Sequence, residues 1–256
     1  MIQHSKKAHS ESYDALAEIY DQVMDHVDYK QWTRYVRSVF SAHVKNVQDI
    51  IDLSCGTGSF LAEMRLKNAK IIGCDLSSEM IQQAIRKSYK LPSKFIVTDF
   101  LNTPFKAERF DVALALYDSV NYLLAEEQVS VFLSEAFRVL KPGGVLIFDA
   151  VTPYVCKTVF KDYYESQEIE KNTAYARRSW YDAAERIQYN DFRIELEGRD
   201  FEELHEQKIW SIRDWKRFIK KSPFVLEAVY ANFTFRPIER KSERAHFICI
   251  KAQNNE

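Results

Sequence analysis

The chain has 256 residues, 46% of them hydrophobic, and a formal net charge of −1. This composition suits a globular α/β protein able to bury a full core and excludes a disordered one. A near-neutral balance argues against a surface that grips many phosphates, and the longest apolar runs, such as VALALY and VLIF, are too short to span a bilayer.

In chain order, apolar residues first recur at helical spacing. Tyr13, Leu16, Ala17, Tyr20, Val23 and Met24 predict a helix over 12–24, and Tyr29, Trp32, Val36, Val39 and Phe40 predict a second. Strands and helices then alternate. QDIIDLS (48–54) reads as a buried strand followed by the helix SFLAEMRLKN, and KIIGCDL (70–76) as a strand followed by SSEMIQQAIRKSYK, with Ser77 as N-cap. KFIVTD (94–99) and RFDVALALY (109–117) are the third and fourth strands. A helix over 126–140 is stopped by Lys-Pro-Gly-Gly (141–144), and GVLIFDA is the fifth strand. Continuous apolar strands alternating with helices predict a Rossmann-like, doubly wound sheet, mostly parallel and covered on both faces.

After Ala150 the rhythm changes. Residues 153–163 suit a helix, and three strands follow, NTAYARRSWYD, RIQYNDFRIELE and DFEELHEQKIW, with turns at 182–185 and 198–200. They predict an antiparallel β insertion over 151–211. The apolar phase shifts between Tyr189 and Phe192, which predicts a bulge near Asn190. A helix over 213–221 and the strand pair FVLEAVYANF and RAHFICIK complete a seven-stranded sheet. The expected organisation is a single domain: N-terminal helices (1–45), core (46–150 and 212–256) and insertion (151–211).

Cys55, Cys74, Cys156 and Cys249 form no CxxC pair, so no metal or redox site is expected; Cys74 and Cys249 read as reduced core residues. The polar start MIQHSKKAHSES lacks the apolar stretch of a secretory signal, and a cytoplasmic protein is expected. Arg236, Arg240, Lys241 and Arg244 read as a solvated loop between strands.

Three constellations carry chemistry. In Asp52-Leu-Ser-Cys-Gly-Thr-Gly58, Gly56 and Gly58 allow a sharp turn and a close ligand approach where strand one meets its helix. A dinucleotide fingerprint needs a third glycine three residues on; Leu61 stands there, which disfavours a nicotinamide-dependent dehydrogenase. Asp75, ending the second strand, can accept the hydroxyls of a ribose or cap the next helix. Asp99-Phe100 can bond and stack an adenine or form a turn with a core phenylalanine.

The segments DLSCGTG (52–58), CDLSSEM (74–80), TDF (98–100), FDVALALYDSVNYL (110–123) and RVLKPGGVLIFD (138–149), in this order, resemble the core of class I S-adenosylmethionine-dependent methyltransferases. The family's usual first loop glycine is Ser54 here. The resemblance implies the cofactor S-adenosyl-L-methionine and the product S-adenosyl-L-homocysteine. It implies that Asp52 anchors the loop and serves the methionine ammonium, and that backbone at Ser54, Gly56 and Gly58 faces the cofactor. Asp75 then holds the ribose, Leu76 and Met80 cover the adenine, Asp99 and Phe100 bind its edge and face, and the Leu116 carbonyl approaches the ammonium. Residues 12–32 are similar to the lid helices of small-molecule methyltransferases, including glycine and amino-sugar N-methyltransferases. There Tyr13 and Tyr20 would meet the cofactor's methionine end or the substrate.

Methyl transfer needs alignment and a route for the acceptor's proton, not a nucleophilic side chain. After strand four, Asp118 can hold a substrate cation and Tyr122 can bond the nucleophile. Glu203, His205 and Gln207 alternate onto one strand face, where His205 can act as base if that face turns toward the cofactor; a solvated outer face is the alternative. Tyr163, Tyr164, Tyr175, Trp180, Tyr181, Tyr189 and Trp210 can cap a substrate ring, or the insertion can be a dimer surface, so monomer and homodimer both stay open. The expected function is transfer of a methyl group to an amine or hydroxyl of a small molecule, without nucleic acid or membrane as partner. RNA or protein methylation and non-catalytic cofactor binding are the alternatives.

Overall fold

The computed structural model describes residues 8–9, 13–64, 66, 68–87 and 94–253. The expected helix ends at residue 12, at 65 and 67 and at 88–90 lie outside them. Two helices, α1 (Leu16–Val23) and α2 (Tyr29–His43), precede the main sheet. That sheet contains β2 (Asp49–Asp52), β3 (Lys70–Asp75), β4 (Lys94–Val97), β5 (Phe110–Ala115), β6 (Leu140–Val151), β11 (Val225–Ala231) and β12 (Arg244–Ile250), in the spatial order β11-β12-β6-β5-β2-β3-β4. Only β12 runs against its neighbours, pairing antiparallel with β6 and β11. Strand order reverses between β2 and β5, so a crevice opens beyond their carboxyl ends.

The strands explain their own burial. Successive side chains point to opposite faces, so Ile51, Ala113, Phe148 and Phe247 face α5 (Glu126–Val139) and α7 (Ile212–Lys221), packing on Phe132, Trp215 and Phe218. Their neighbours Ile50, Val112, Ile147 and Ile248 face α2 and α3 (Ser59–Glu63), packing on Val36, Phe40 and Leu61. The Leu61 side chain fits because Gly73 in β3 has none: a Cβ there would stand 2.9 Å from Leu61 Cδ1, Cys55 Sγ and Phe95 Cδ1. Lys-Pro-Gly-Gly ends α5 as expected, yet its residues are already extended as the first part of β6.

The region after β6 differs from expectation in two ways. After the short helix α6 (Pro153–Thr158) come four strands, not three: β7 (Asp162–Glu170), β8 (Thr173–Asp182), β9 (Ile187–Leu196) and β10 (Arg199–Lys208). With β1 (Ala8–His9) added parallel to β10, they form a five-stranded sheet in the order β1-β10-β9-β8-β7. No bulge occurs at Asn190, since β9 keeps unbroken register with both neighbours. The apolar phase shifts because Gln188 and Asn190 take inward positions, while Tyr189 turns outward and stacks on Trp180 with ring centroids 5.0 Å apart.

The inward face of this sheet carries the cross-strand rows Tyr175–Ile194–Phe201, Arg177–Phe192–Glu203, Ser179–Asn190–His205 and Tyr181–Gln188–Gln207. Tyr175, Phe192 and Ile194 pack against Leu16, Ile19 and Val23 of α1. The second sheet and the helix α1 therefore close over the crevice of the first. Among the described residues no helix is long and apolar enough to cross a membrane.

Candidate active site

A cleft of about 540 Å³ lies at the carboxyl ends of β2, β3, β4 and β5. Ten of the residues singled out from sequence for cofactor binding line it: Tyr13, Tyr20, Ser54, Gly56, Asp75, Leu76, Met80, Asp99, Phe100 and Leu116. Gly56 has φ +53° and only Tyr20 Cε1, at 3.9 Å, in front of its missing side chain, so the loop's inner side stays open. Gly58 does not line the cleft. With φ +74° it turns the chain into α3, and a Cβ would press on Phe95 and Ala84 at 3.1–3.2 Å. Asp52 also stands apart, bordering a side pocket of about 50 Å³ with Tyr20, Tyr29 and Trp32.

The acids differ in environment. Asp75 Oδ2 accepts from the Gly56 N–H at 2.8 Å and Oδ1 from the Ser77 N–H at 3.0 Å. It thereby fixes the glycine loop to β3 while keeping lone pairs toward the cleft. Burial raises its carboxyl above the usual range, opposed by those N–H donors. Burial pushes Asp52 up to about 7, against its hydrogen bond from the Ser54 N–H. A buried carboxyl with so few partners suits a cationic ligand group. Ser77 caps the next helix as expected, its Oγ accepting from the Met80 N–H at 3.1 Å. Asp99 Oδ1 accepts from the Leu101 N–H, and the Phe100 ring rests edge-on against Phe132.

The cleft fits S-adenosylmethionine by its own chemistry. Two buried hydroxyls that border it, of Ser54 and Ser119, have no hydrogen-bond partner among the described residues. Asp75 and Asp99 stand at its rim, Leu76 is 71% exposed there, and the buried Met80 lies beside them. Polar groups for a ribose and an amino acid thus adjoin apolar cover for a base.

A second cavity, of about 160 Å³, adjoins the first and shares Tyr13, Tyr20, Tyr117 and Tyr122 with it. It lies between α1, the turn after β5 and the inward face of the second sheet. Arg177, Gln188, Asn190, His205 and Gln207 line it from that sheet. The outer-face alternative for Glu203, His205 and Gln207 is therefore overturned: they are 1%, 1% and 7% exposed. None of the seven tyrosines and tryptophans open to a substrate-capping role borders either cavity. Trp210 instead packs in the core and donates its Nε1–H to the Leu123 carbonyl at 2.9 Å.

Asp118 lies deep in this cavity, but not as a free anion. Its Oδ1 accepts from Arg244 at 2.8 Å and its Oδ2 from Gln207 at 2.8 Å. Arg244 also pairs with Asp149, whose oxygens accept the N–H groups of Tyr117 (2.7 Å) and Asp118 (3.0 Å). This explains how Tyr117 and Asp118 hold φ values of +61° and +53°, a strained pair for residues with side chains. Arg244 was expected in a solvated loop; it is mostly covered at the start of β12, its side chain 18% exposed, and held protonated by Asp149 and Asp118 against the cost of burial. Sequence reasoning missed Asp149 and Arg244. Aspartate at the end of an otherwise apolar strand was the available signal for the first; nothing local marked the second.

The helix α1 is tied at both ends. Glu203 accepts the N–H groups of Tyr13 (2.8 Å), Ala15 (2.7 Å) and Leu16 (3.0 Å) at its start. Further along, Asp21 accepts from Thr57 Oγ1 in the glycine loop at 2.6 Å and from Ser59 Oγ just after it at 2.9 Å, and pairs with Lys87. These attachments hold α1 to both the second sheet and the main sheet.

Glycine loop, strand-end acids and lid together define an adenosyl-cofactor transferase, and comparison with known proteins agrees. A family profile described as "Methyltransferase domain" matches residues 50–144. The "Putative methyltransferase YqeM" of Bacillus subtilis (strain 168) is 31% identical over 246 residues, covering 94% of this chain and 98% of that protein. The chain belongs to the class I S-adenosylmethionine-dependent methyltransferases. Among solved structures, an S-adenosylmethionine-dependent methyltransferase from Clostridium acetobutylicum shares the fold at TM-score 0.77 and 24% identity, covering 94% of this chain and 99% of the other. The sugar N-methyltransferase KedS8 from Streptoalloteichus sp. does so at TM-score 0.79 and 20% identity, covering 99% of both chains.

Proposed function

We propose that this methyltransferase acts on a small molecule, at an amine or a hydroxyl, with the acceptor held in the cavity beneath α1. The observation that carries the reading is the junction of two cavities: a nucleoside-sized cleft and a smaller polar chamber share four tyrosines and no other wall. The smaller chamber lies between α1 and the second sheet, and its small volume favours a compact metabolite over a nucleic acid or a protein surface. The near-neutral charge points the same way. A cytoplasmic enzyme, monomeric or dimeric, is consistent with this reading.

When bound, S-adenosylmethionine supplies a methyl group on a sulfonium. The chain's own residues bind, orient and exclude water. Asp75 takes the ribose hydroxyls, Leu76, Met80, Asp99 and Phe100 hold the adenine, and the loop at Ser54 and Gly56 passes along the methionine part. Asp52 and the Leu116 carbonyl serve the ammonium, with Gly58 acting through loop shape. Tyr20, with Tyr117, walls the junction. Tyr122 and His205 stand where the acceptor's proton must leave. Asp118, with both oxygens engaged, shapes the chamber through Arg244 and Gln207 instead of binding a cation by itself.

Incubation with methyl-labelled S-adenosylmethionine and a fractionated metabolite extract tests the proposal. Label recovered in one low-molecular-weight fraction supports it; label recovered in RNA or protein from the unfractionated extract refutes it.

A further inference from the structure

The lid, the turn after β5 and β10 are joined by one chain of side-chain hydrogen bonds. The Tyr13 hydroxyl lies 2.6 Å from that of Tyr122, which lies 2.9 Å from Nδ1 of His205. Nε2 of His205 lies 3.1 Å from Oε2 of Glu203. The geometry gives this chain a direction. An ionised carboxylate only accepts, so the hydrogen of a neutral His205 belongs on Nε2 and Nδ1 is bare. Nδ1 then accepts from Tyr122, and the Tyr122 oxygen accepts from Tyr13. The Tyr13 oxygen keeps its remaining lone pairs toward the cavities that it borders.

Glu203 is suited to stay ionised. Burial alone would raise its carboxyl, yet hydrogen bonds from His205, Leu16 and Tyr13 hold it below the usual range. Burial raises the Tyr13 and Tyr122 hydroxyls far above theirs, so neither rests as a phenolate. Each is suited to accept one proton while giving up another.

We propose that Tyr13, Tyr122, His205 and Glu203 form a proton relay, in which Tyr13 touches the acceptor's nucleophile and Glu203 is a positioning residue that sets the His205 tautomer. The proposal rests on the small-molecule methyl-transfer reading and narrows it to an acceptor with a removable O–H or N–H proton. As the bond from the acceptor's oxygen or nitrogen to the methyl carbon forms, the carbon–sulfur bond breaks and its electron pair goes to sulfur, leaving a neutral thioether. The acceptor's proton passes to the Tyr13 oxygen, Tyr13's own to the Tyr122 oxygen, and Tyr122's to His205 Nδ1. The imidazolium so formed faces the Glu203 carboxylate. Because Glu203 also anchors the N–H groups of Tyr13, Ala15 and Leu16, the relay is complete only with the lid docked.

Nitrogen-15 NMR of histidine-labelled full-length protein, without cofactor, reads the tautomer directly. His205 is faced by Tyr13 from the lid segment, Tyr122 from the turn after β5, Phe192 from β9 and Glu203 from its own strand. Asp118, Arg177, Arg244 and His26 share its cavity. The expected wild-type tautomer carries its hydrogen on Nε2. Glu203→Gln is expected to move part of the population to the Nδ1–H form. Tyr122→Phe, which leaves the lid's anchor intact, is expected to keep the tautomer and shift the Nδ1 resonance. With labelled cofactor and the metabolite extract as acceptor source, both variants are expected to lose about tenfold or more in turnover.

Calorimetry with S-adenosylmethionine separates the two layers of the argument. Binding within about threefold of wild type in both variants, together with these losses, supports the relay. A wild-type Nδ1–H tautomer, or turnover unchanged in either variant while cofactor binding is intact, overturns the relay alone. A wild type that labels only RNA or protein overturns the small-molecule reading and the relay with it.

Discussion

The two cavities are built by different means. The cofactor cleft is made largely of backbone and strand-end residues from one stretch: the loop at Ser54 and Gly56, then Asp75, Asp99 and Leu116 at successive strand ends. The chamber beneath the lid is made of side chains from elements far apart in sequence, with Arg244 reaching Asp118 across 126 positions. The first region follows from the sheet's topology, which delivers strand ends to one crevice whatever the helices carry. The second depends on which faces of four further strands and a lid helix happen to meet. This difference teaches that a cofactor class can be shared widely while the acceptor is set locally.

Substitutions break the comparison where the regions differ. The largest effect is expected at Arg244. Arg244→Ala leaves Asp118 and Asp149 buried without their counter-ion and releases the strained turn at Tyr117, so a loss of about 3–5 kcal/mol is expected in denaturant unfolding. An effect below about 1 kcal/mol would show that the cluster does not organise the chamber. Next comes Asp75→Ala, expected to weaken S-adenosylmethionine binding by about 1–3 kcal/mol in calorimetry, since ribose hydroxyls and the Gly56 N–H lose their acceptor.

Asp52 gives a pH-dependent test of the cleft. Its folded carboxyl titrates near 7, above the usual carboxylate value, so it is protonated and neutral in slightly acidic solution. Its contribution to the stability of the cofactor-free protein is therefore present at low pH and lost as pH rises through about 7. Binding of an ammonium needs the ionised form, so cofactor affinity runs the other way, falling about tenfold for each pH unit below about 7. Asp52→Asn is expected to flatten both slopes; slopes that persist in the variant would assign them to another group. The smallest effect is expected at Trp180, whose stacking on Tyr189 lies outside both cavities. Trp180→Ala is expected to cost about 0.5–1.5 kcal/mol of stability and to leave cofactor affinity unchanged.

The same contrast explains what could be read from the sequence. Asp52 to Gly58 is a contiguous motif whose spacing alone places it at a strand–helix junction, and the apolar runs around it made the parallel sheet legible. Strand β7 escaped because Asp162–Glu170 forms a sheet edge with mostly exposed side chains, so no apolar alternation marks it. The inward row of Gln188 and Asn190 imitated a bulge, because a polar residue on a buried face looks like a break in the pattern. His205 and Tyr122 were singled out separately, yet their contact, and the place of Glu203 behind them, required the fold. The Asp149–Arg244–Asp118 cluster joins residues with no local pattern to connect them.

A crystal structure of the protein with S-adenosylhomocysteine addresses the division into two cavities most directly. The expected result is adenine between Leu76, Met80 and Phe100, ribose hydroxyls on Asp75, and the sulfur directed past Leu116 toward Tyr13 and Tyr122, with the chamber lined by Gln188 and His205 left open. A nucleoside lodged in that chamber, or a sulfur directed away from the tyrosines, would contradict it.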